Sequence, residues 1–110
     1  MKLPNGTFAK ISMQKLTGYC LNREHPSGKH KAKVFESALG FTAENAEELK
    51  LLIEQAAVEG EVVQTDNTPF GQLYKVDWTI PSQSEEIILR TLWEVTSHST
   101  NPRLVSAFIR

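Results

Sequence analysis

The sequence predicts an α+β domain: two to three N-terminal helices packed on one face of a four-stranded antiparallel meander sheet. Two observations predict it. Apolar residues recur at helical spacing up to Gly60, and after Gly60 the chain turns β-branched and aromatic in short alternating runs. Those runs are joined by short, turn-rich connections, which imply hairpins between successive strands. Helices first and strands second fit an α+β layer architecture.

A chain of 110 residues is the size of one domain, and no internal boundary or repeat is visible, so residues 1–110 are read as a single domain. With 40% hydrophobic and 23% charged residues, the composition is that of a globular protein. No apolar window is long enough for a membrane span, so no membrane partner is expected. Met1 to Gly6 lacks the apolar core of a signal peptide, and a cytoplasmic location is expected. The single cysteine, Cys20, lies between Tyr19 and Leu21 and reads as a packed thiol.

The elements follow in order. Residues 1–11 read as extended and loop-like. Ser12 can cap a short helix over 13–19. Residues 22–28 form a polar loop ending in His25-Pro26-Ser27-Gly28. A helix over 29–39 follows, with Gly40 placed to end it. Ala32, Phe35 and Leu39 share its inner face, and Lys29, Lys33 and Glu36 the outer one. Lys31 lies on the flank, its stem along the core and its ammonium at the edge. Asn45, with Glu48 three residues on, caps a third helix. Its inner stripe is Ala46, Leu49, Leu52, Ile53, Ala56 and Ala57, and Leu51 and Val58 fall outside that stripe. Strands are expected over 61–65, 72–79, 87–95 and 103–109, with turns at 67–71, 81–84 and 97–102. Trp78 and Trp93 are read as core.

The charge is uneven. Residues 1–33 hold seven Lys/Arg and one acid, a balance of +6, and residues 34–66 hold one Lys and eight acids, a balance of −7. The first third can therefore form a local basic patch. Residues 25–35 alone contain two histidines and three lysines.

Several chemistries lack their parts. There is no glycine-rich phosphate loop and no nucleophile elbow. His25 and His30 are five apart across a turn, which is no metal-ligand spacing, so neither metal nor cofactor is expected. What remains is a set of acid/base groups and cations: His25, His30, Lys31, Tyr74, Arg90, Arg103 and Ser106. RNA cleavage without metal needs little more. A group must remove the 2′-hydroxyl proton, a group must protonate the leaving oxygen, and a cation must hold the charged phosphate. Each residue also has a plain structural reading. His25 can cap its turn, His30 can be surface, and Arg103 can form a surface ion pair. In a regular strand Ser106 faces away from Arg103, so the two can share a site only through a bulge or at a sheet edge.

The run from Lys15 through Asn22, with His25-Pro26, Gly28, Lys31-Ala32-Lys33-Val34-Phe35 and Leu39-Gly40-Phe41, resembles an uncharacterised bacterial domain. That domain is found as a stand-alone protein and at the C-termini of polymorphic toxins. Gly71 with Tyr74, Thr91-Leu92-Trp93 and the stretch from Arg103 to Phe108 are similar to it too. The helices and meander resemble the barnase–EndoU–colicin–RelE group of metal-independent ribonucleases. The resemblance implies a toxin-type ribonuclease with RNA as substrate and a neutralising antitoxin or immunity protein as partner. It implies His25, Lys31, Arg103 and Ser106 as catalytic, whereas His30, in a stretch that varies among related domains, and Arg90 and Tyr74 are expected as RNA-binding from their residue types alone. Related domains carry Thr and Tyr where this chain has Ser106 and Phe108. The alternative expectation is a non-enzymatic interaction module, met through the acidic third helix with Leu51 and Val58.

Overall fold

The computed structural model describes residues 1–81 and 83–110. It is an α+β fold with the elements α1 (Met13–Lys15), α2 (Lys29–Leu39), α3 (Ala46–Glu59), β1 (Glu61–Thr68), β2 (Gly71–Thr79), β3 (Ile88–Thr96) and β4 (Arg103–Ile109). The four strands form one antiparallel sheet in the order β1-β2-β3-β4, the expected meander.

The third helix buries the stripe its sequence dictates except Leu52, which is half-buried at its edge. Ala46, Leu49, Ile53, Ala56 and Ala57 are buried, while Leu51 and Val58 are exposed. α3 lies across β2 and β3, and α2 lies against β4. Between them sits one core, in which Phe35, Val76, Leu89 and Trp93 have no exposed surface. Its polar content is a relay: Trp93 Nε1 donates to Thr91 Oγ1 at 2.8 Å, and that hydroxyl donates to Val76 O at 3.5 Å. Both side chains are fully buried, so the relay meets hydrogen-bonding needs that would otherwise cost stability.

β2 opens one residue early and β3 is shifted by one, and local boundaries differ more from the sequence reading in three places. Asn45 stands before α3, but its side chain bonds no helix N–H. Instead Thr42 opens a capping box, with Asn45 Oδ1 accepting from Thr42 N at 2.9 Å. β1 runs on to Thr68, because a two-residue hairpin loop keeps the ladder paired up to Gly71. Pairing thus overrides the poor strand propensity of Asp66 and Asn67. The first helix is α-helical only over α1. It continues as a π-helical turn, Leu16–Cys20, closed by Leu21 N donating to Leu16 O at 2.8 Å. Thr17 back-bonds to Met13 O at 3.1 Å within this stretch. The helix over 29–39 has the expected bounds, with Gly40 in the left-handed region at φ 71°. The turn expected at 81–84 includes Ser82, which lies outside the described residues.

No helix among the described residues is long and apolar enough to cross a membrane. Cys20 is buried, as its neighbours implied, and burial pushes its thiol above the ordinary range.

Candidate functional site

The π-helical turn brings Tyr19 to the loop before α2. Gly28 makes the approach possible: a Cβ there would stand 2.8 Å from Tyr19 O and 3.2 Å from its ring. π-turns often occur at functional sites, and this one carries the residue that gathers the others. The His25 ring meets the Tyr19 ring edge-on, with centroids 4.8 Å apart. Lys31 Nζ donates to the Tyr19 hydroxyl at 3.4 Å. The same ammonium lies 4.5 Å from the Phe108 ring centroid. Imidazole, phenol and ammonium therefore converge beside the end of β4.

Lys31 occupies the flank its position on α2 assigns. Its stem is half-buried and its head lies between two aromatic rings. It has no carboxylate partner among the described residues. His25 does the structural job open to it as well. Its Nδ1 accepts from Ser27 N and Gly28 N, both at 3.0 Å. With Nδ1 accepting, the neutral ring carries its proton on Nε2, the one ring nitrogen left for a ligand.

β4 carries the bulge that the joint use of Arg103 and Ser106 requires. Trp93 pairs with Leu104 and Leu92 with Ser106, so Val105 is the extra residue. Arg103 pairs with Glu94, and Ser106 with Leu92, two residues apart on β3. The bulge thus places Arg103 and Ser106 on one face, where a regular strand would separate them. That face is the one α3 leaves uncovered. Across it run the rows Gln64–Lys75–Leu92–Ser106 and Glu61–Asp77–Arg90–Phe108. The Ser106 hydroxyl is buried and has no hydrogen-bond partner.

The remaining expected residues lie apart. Arg103 donates to Glu94 Oε1 from Nε at 2.8 Å and also from Nη2, the ion pair its strand position favours. It stands five residues from Phe108 but, with the bulge, four ladder steps, about 13 Å along the strand, so it is not beside Lys31. Arg90 grips Asp77 with two bonds, 2.7 and 2.8 Å, and Arg110 adds a third at 3.3 Å. Tyr74 pairs with Trp93 on the helix-covered side and packs against the core, away from the cluster. His30 is exposed in the first turn of α2. The sequence reading missed Tyr19 and Phe108. For Tyr19 the sequence holds only a hint: Thr17-Gly18 interrupts the helix pattern just before it, without fixing where the ring points.

The Asp77 carboxyl is held below the usual carboxylate range, chiefly by the Arg90 hydrogen bonds and further by the Arg90 and Arg110 charges, against burial that pushes it up. The native state therefore binds fewer protons at this site than the unfolded chain. Its contribution is full above the unfolded carboxylate range and is lost as pH falls through the lowered native value. Asp77→Asn is expected to cost roughly 2 kcal/mol at neutral pH. In urea unfolding across pH, the gap to wild type should close in acid. A gap of constant size would show that the carboxylate charge is not what matters.

Among the described residues, no group of three or more His, Cys, Asp and Glu is placed to hold a metal ion. No curated protein and no solved structure matches the chain. A family model does match, over residues 2–110, and on that match the chain belongs to the family described as a domain of unknown function, DUF6883.

Proposed function

We propose that this domain is a toxin-type ribonuclease that cleaves RNA by attack of the 2′-hydroxyl on the adjacent phosphate, without metal. The observation that carries the reading is the convergence on Tyr19 of the His25 ring at 4.8 Å and the Lys31 ammonium at 3.4 Å. The 2′-oxygen–phosphorus bond forms and the bond to the 5′-oxygen breaks. Lys31, with no carboxylate to neutralise it, stabilises the charge on the phosphate. His25, acting at Nε2, and the Tyr19 hydroxyl are the groups through which the 2′-proton leaves and the 5′-oxygen gains one. Charging the His25 ring puts a proton on Nδ1, so the bonds to Ser27 and Gly28 must loosen as it does so. Arg103 binds phosphate farther along the strand; the Ser106 hydroxyl, expected as catalytic, is buried where no substrate meets it in this structure.

Incubation with total RNA in excess EDTA tests this. Wild type should cleave, and Lys31→Ala should cleave roughly 10²–10³-fold more slowly. Intact RNA with wild type, or equal rates for the two proteins, refutes the assignment.

A second reading has its own observation. Leu51 and Val58 are 63% and 45% exposed on α3 and frame an open depression with Glu54, Gln55 and Glu59. As an interaction module (an antitoxin, immunity or accessory domain), the chain would use this acidic face to meet a basic partner. Harmless expression, with Leu51→Asp abolishing recovery of one stoichiometric partner, would favour it over the enzyme.

A further inference from the structure

We propose that the cleft between residues 10–15 and the start of β4 binds the phosphodiester backbone of a single RNA strand that also occupies the Tyr19 cluster. The proposal rests on the ribonuclease reading and extends it to a second subsite. The cleft has a volume of about 790 Å³. Lys10, Ser12 and Lys15 line it together with Arg103 and Glu94, and Leu73 and the exposed Val105 add apolar surface.

The backbone fixes the charges there. Lys10 N donates to Pro102 O at 2.8 Å, and Leu104 N donates to Lys10 O at 2.9 Å. This is a parallel bridge that sets Lys10 directly beside Arg103. Like charges held opposite one another cost stability. One carboxylate, Glu94, answers Arg103. Lys10 and Lys15 have no ion-pair partner among the described residues. Three cations thus share one anion, an excess that a bound polyanion would neutralise.

The spacing selects the ligand. Arg103, Ser106 and Phe108 follow one another along a single face of β4, with Lys31 above Phe108. From Arg103 to Phe108 is four ladder steps, about 13 Å. One phosphate cannot touch both ends, whereas a strand with a phosphate on every nucleotide can. The apolar surface of Leu73 and Val105 suits ribose and base edges between those phosphates.

The test is binding of a short fluorescent 2′-O-methyl RNA oligonucleotide, which lacks the nucleophile and stays intact. Fluorescence anisotropy gives Kd over a range of salt for wild type, for the double variant Lys10→Gln/Lys15→Gln, and for the control Lys29→Gln/Lys33→Gln. Each single-strand phosphate contact contributes about 0.7 to the slope of log K against log salt, so the cleft variant should lose about 1.4. The control, altered on the solvent face of α2, should keep the wild-type slope. An unchanged slope in the cleft variant overturns the proposal. So does an equal loss in the control, or a mononucleotide that binds as tightly as the oligonucleotide. If Lys31-dependent cleavage persists while the cleft slope stays unchanged, the cleft idea fails alone. If the slope falls but wild type cleaves nothing, the cleft binds RNA and the ribonuclease reading fails.

Discussion

On the proposed mechanism, His25→Asn lowers the single-turnover rate of RNA cleavage roughly 10²–10⁴-fold, the usual worth of a positioned acid/base group. Asparagine is the informative replacement because His25 does two things. Its Nδ1 holds the 25–28 turn by accepting from Ser27 N and Gly28 N, and its Nε2 has no protein partner among the described residues. The amide oxygen of the introduced asparagine can take the place of Nδ1 in an Asx-type turn, while nothing replaces Nε2. Stability should therefore stay within about 0.5 kcal/mol of wild type as the rate collapses. His25→Gln inverts the pattern: it reaches outward but leaves the turn donors unmet, at about 1 kcal/mol per lost bond. A His25→Asn protein that cleaves at the wild-type rate would reduce His25 to a turn residue.

Trp93→Ala should leave little folded protein. Trp93 has no exposed surface and is the largest fully buried side chain. Emptying such a site costs about 3–5 kcal/mol. A small domain has roughly 5–15 kcal/mol of total stability to lose. The substitution also removes the indole donor to Thr91, although Thr91 keeps its bond to Val76 O. Trp93→Phe separates the two effects, because it retains most of the volume and loses only the hydrogen bond, about 1 kcal/mol. Urea unfolding followed by far-UV circular dichroism measures both, with Trp78 fluorescence as a second probe. Equal midpoints for the alanine variant and wild type would mean that the sheet and α3 do not share one cooperative core.

Much of the fold was legible because its signals are local. The stripe of α3, the bounds of α2 and the hairpin order depend on periodicity and turn residues, which act over a few positions. The edges of elements were read less well. β1 outran its polar end because hairpin pairing supplied the hydrogen bonds that propensity withheld. Asn45 gave up its capping role because Thr42, three residues earlier, made a better box.

The candidate site divides in the same way. Lys31 was placed correctly because a helix flank follows from angular position alone, and His25 was visible as a turn residue beside Pro26. Its partner Tyr19 was not visible as such, because a π-turn reorients the side chains it carries and its hydrogen bonding depends on what packs around it. Whether Arg103 and Ser106 share a face rested on one extra residue in β4. A bulge is a property of the pairing between two strands and is absent from either strand alone.

The sequence by itself therefore determined the layer order, the buried stripes and the residues that carry charge, since hydrophobic period and turn chemistry are written residue by residue. Only the tertiary structure decided which charges meet. It joined Lys31 to Tyr19 and Phe108, gave Arg90 to Asp77 and Arg103 to Glu94, and set Lys10 beside Arg103. Those neighbours come from strand register and a bulge, set by hydrogen bonds between strands, and from a π-turn, whose local bonds turn Tyr19 toward groups distant in the chain.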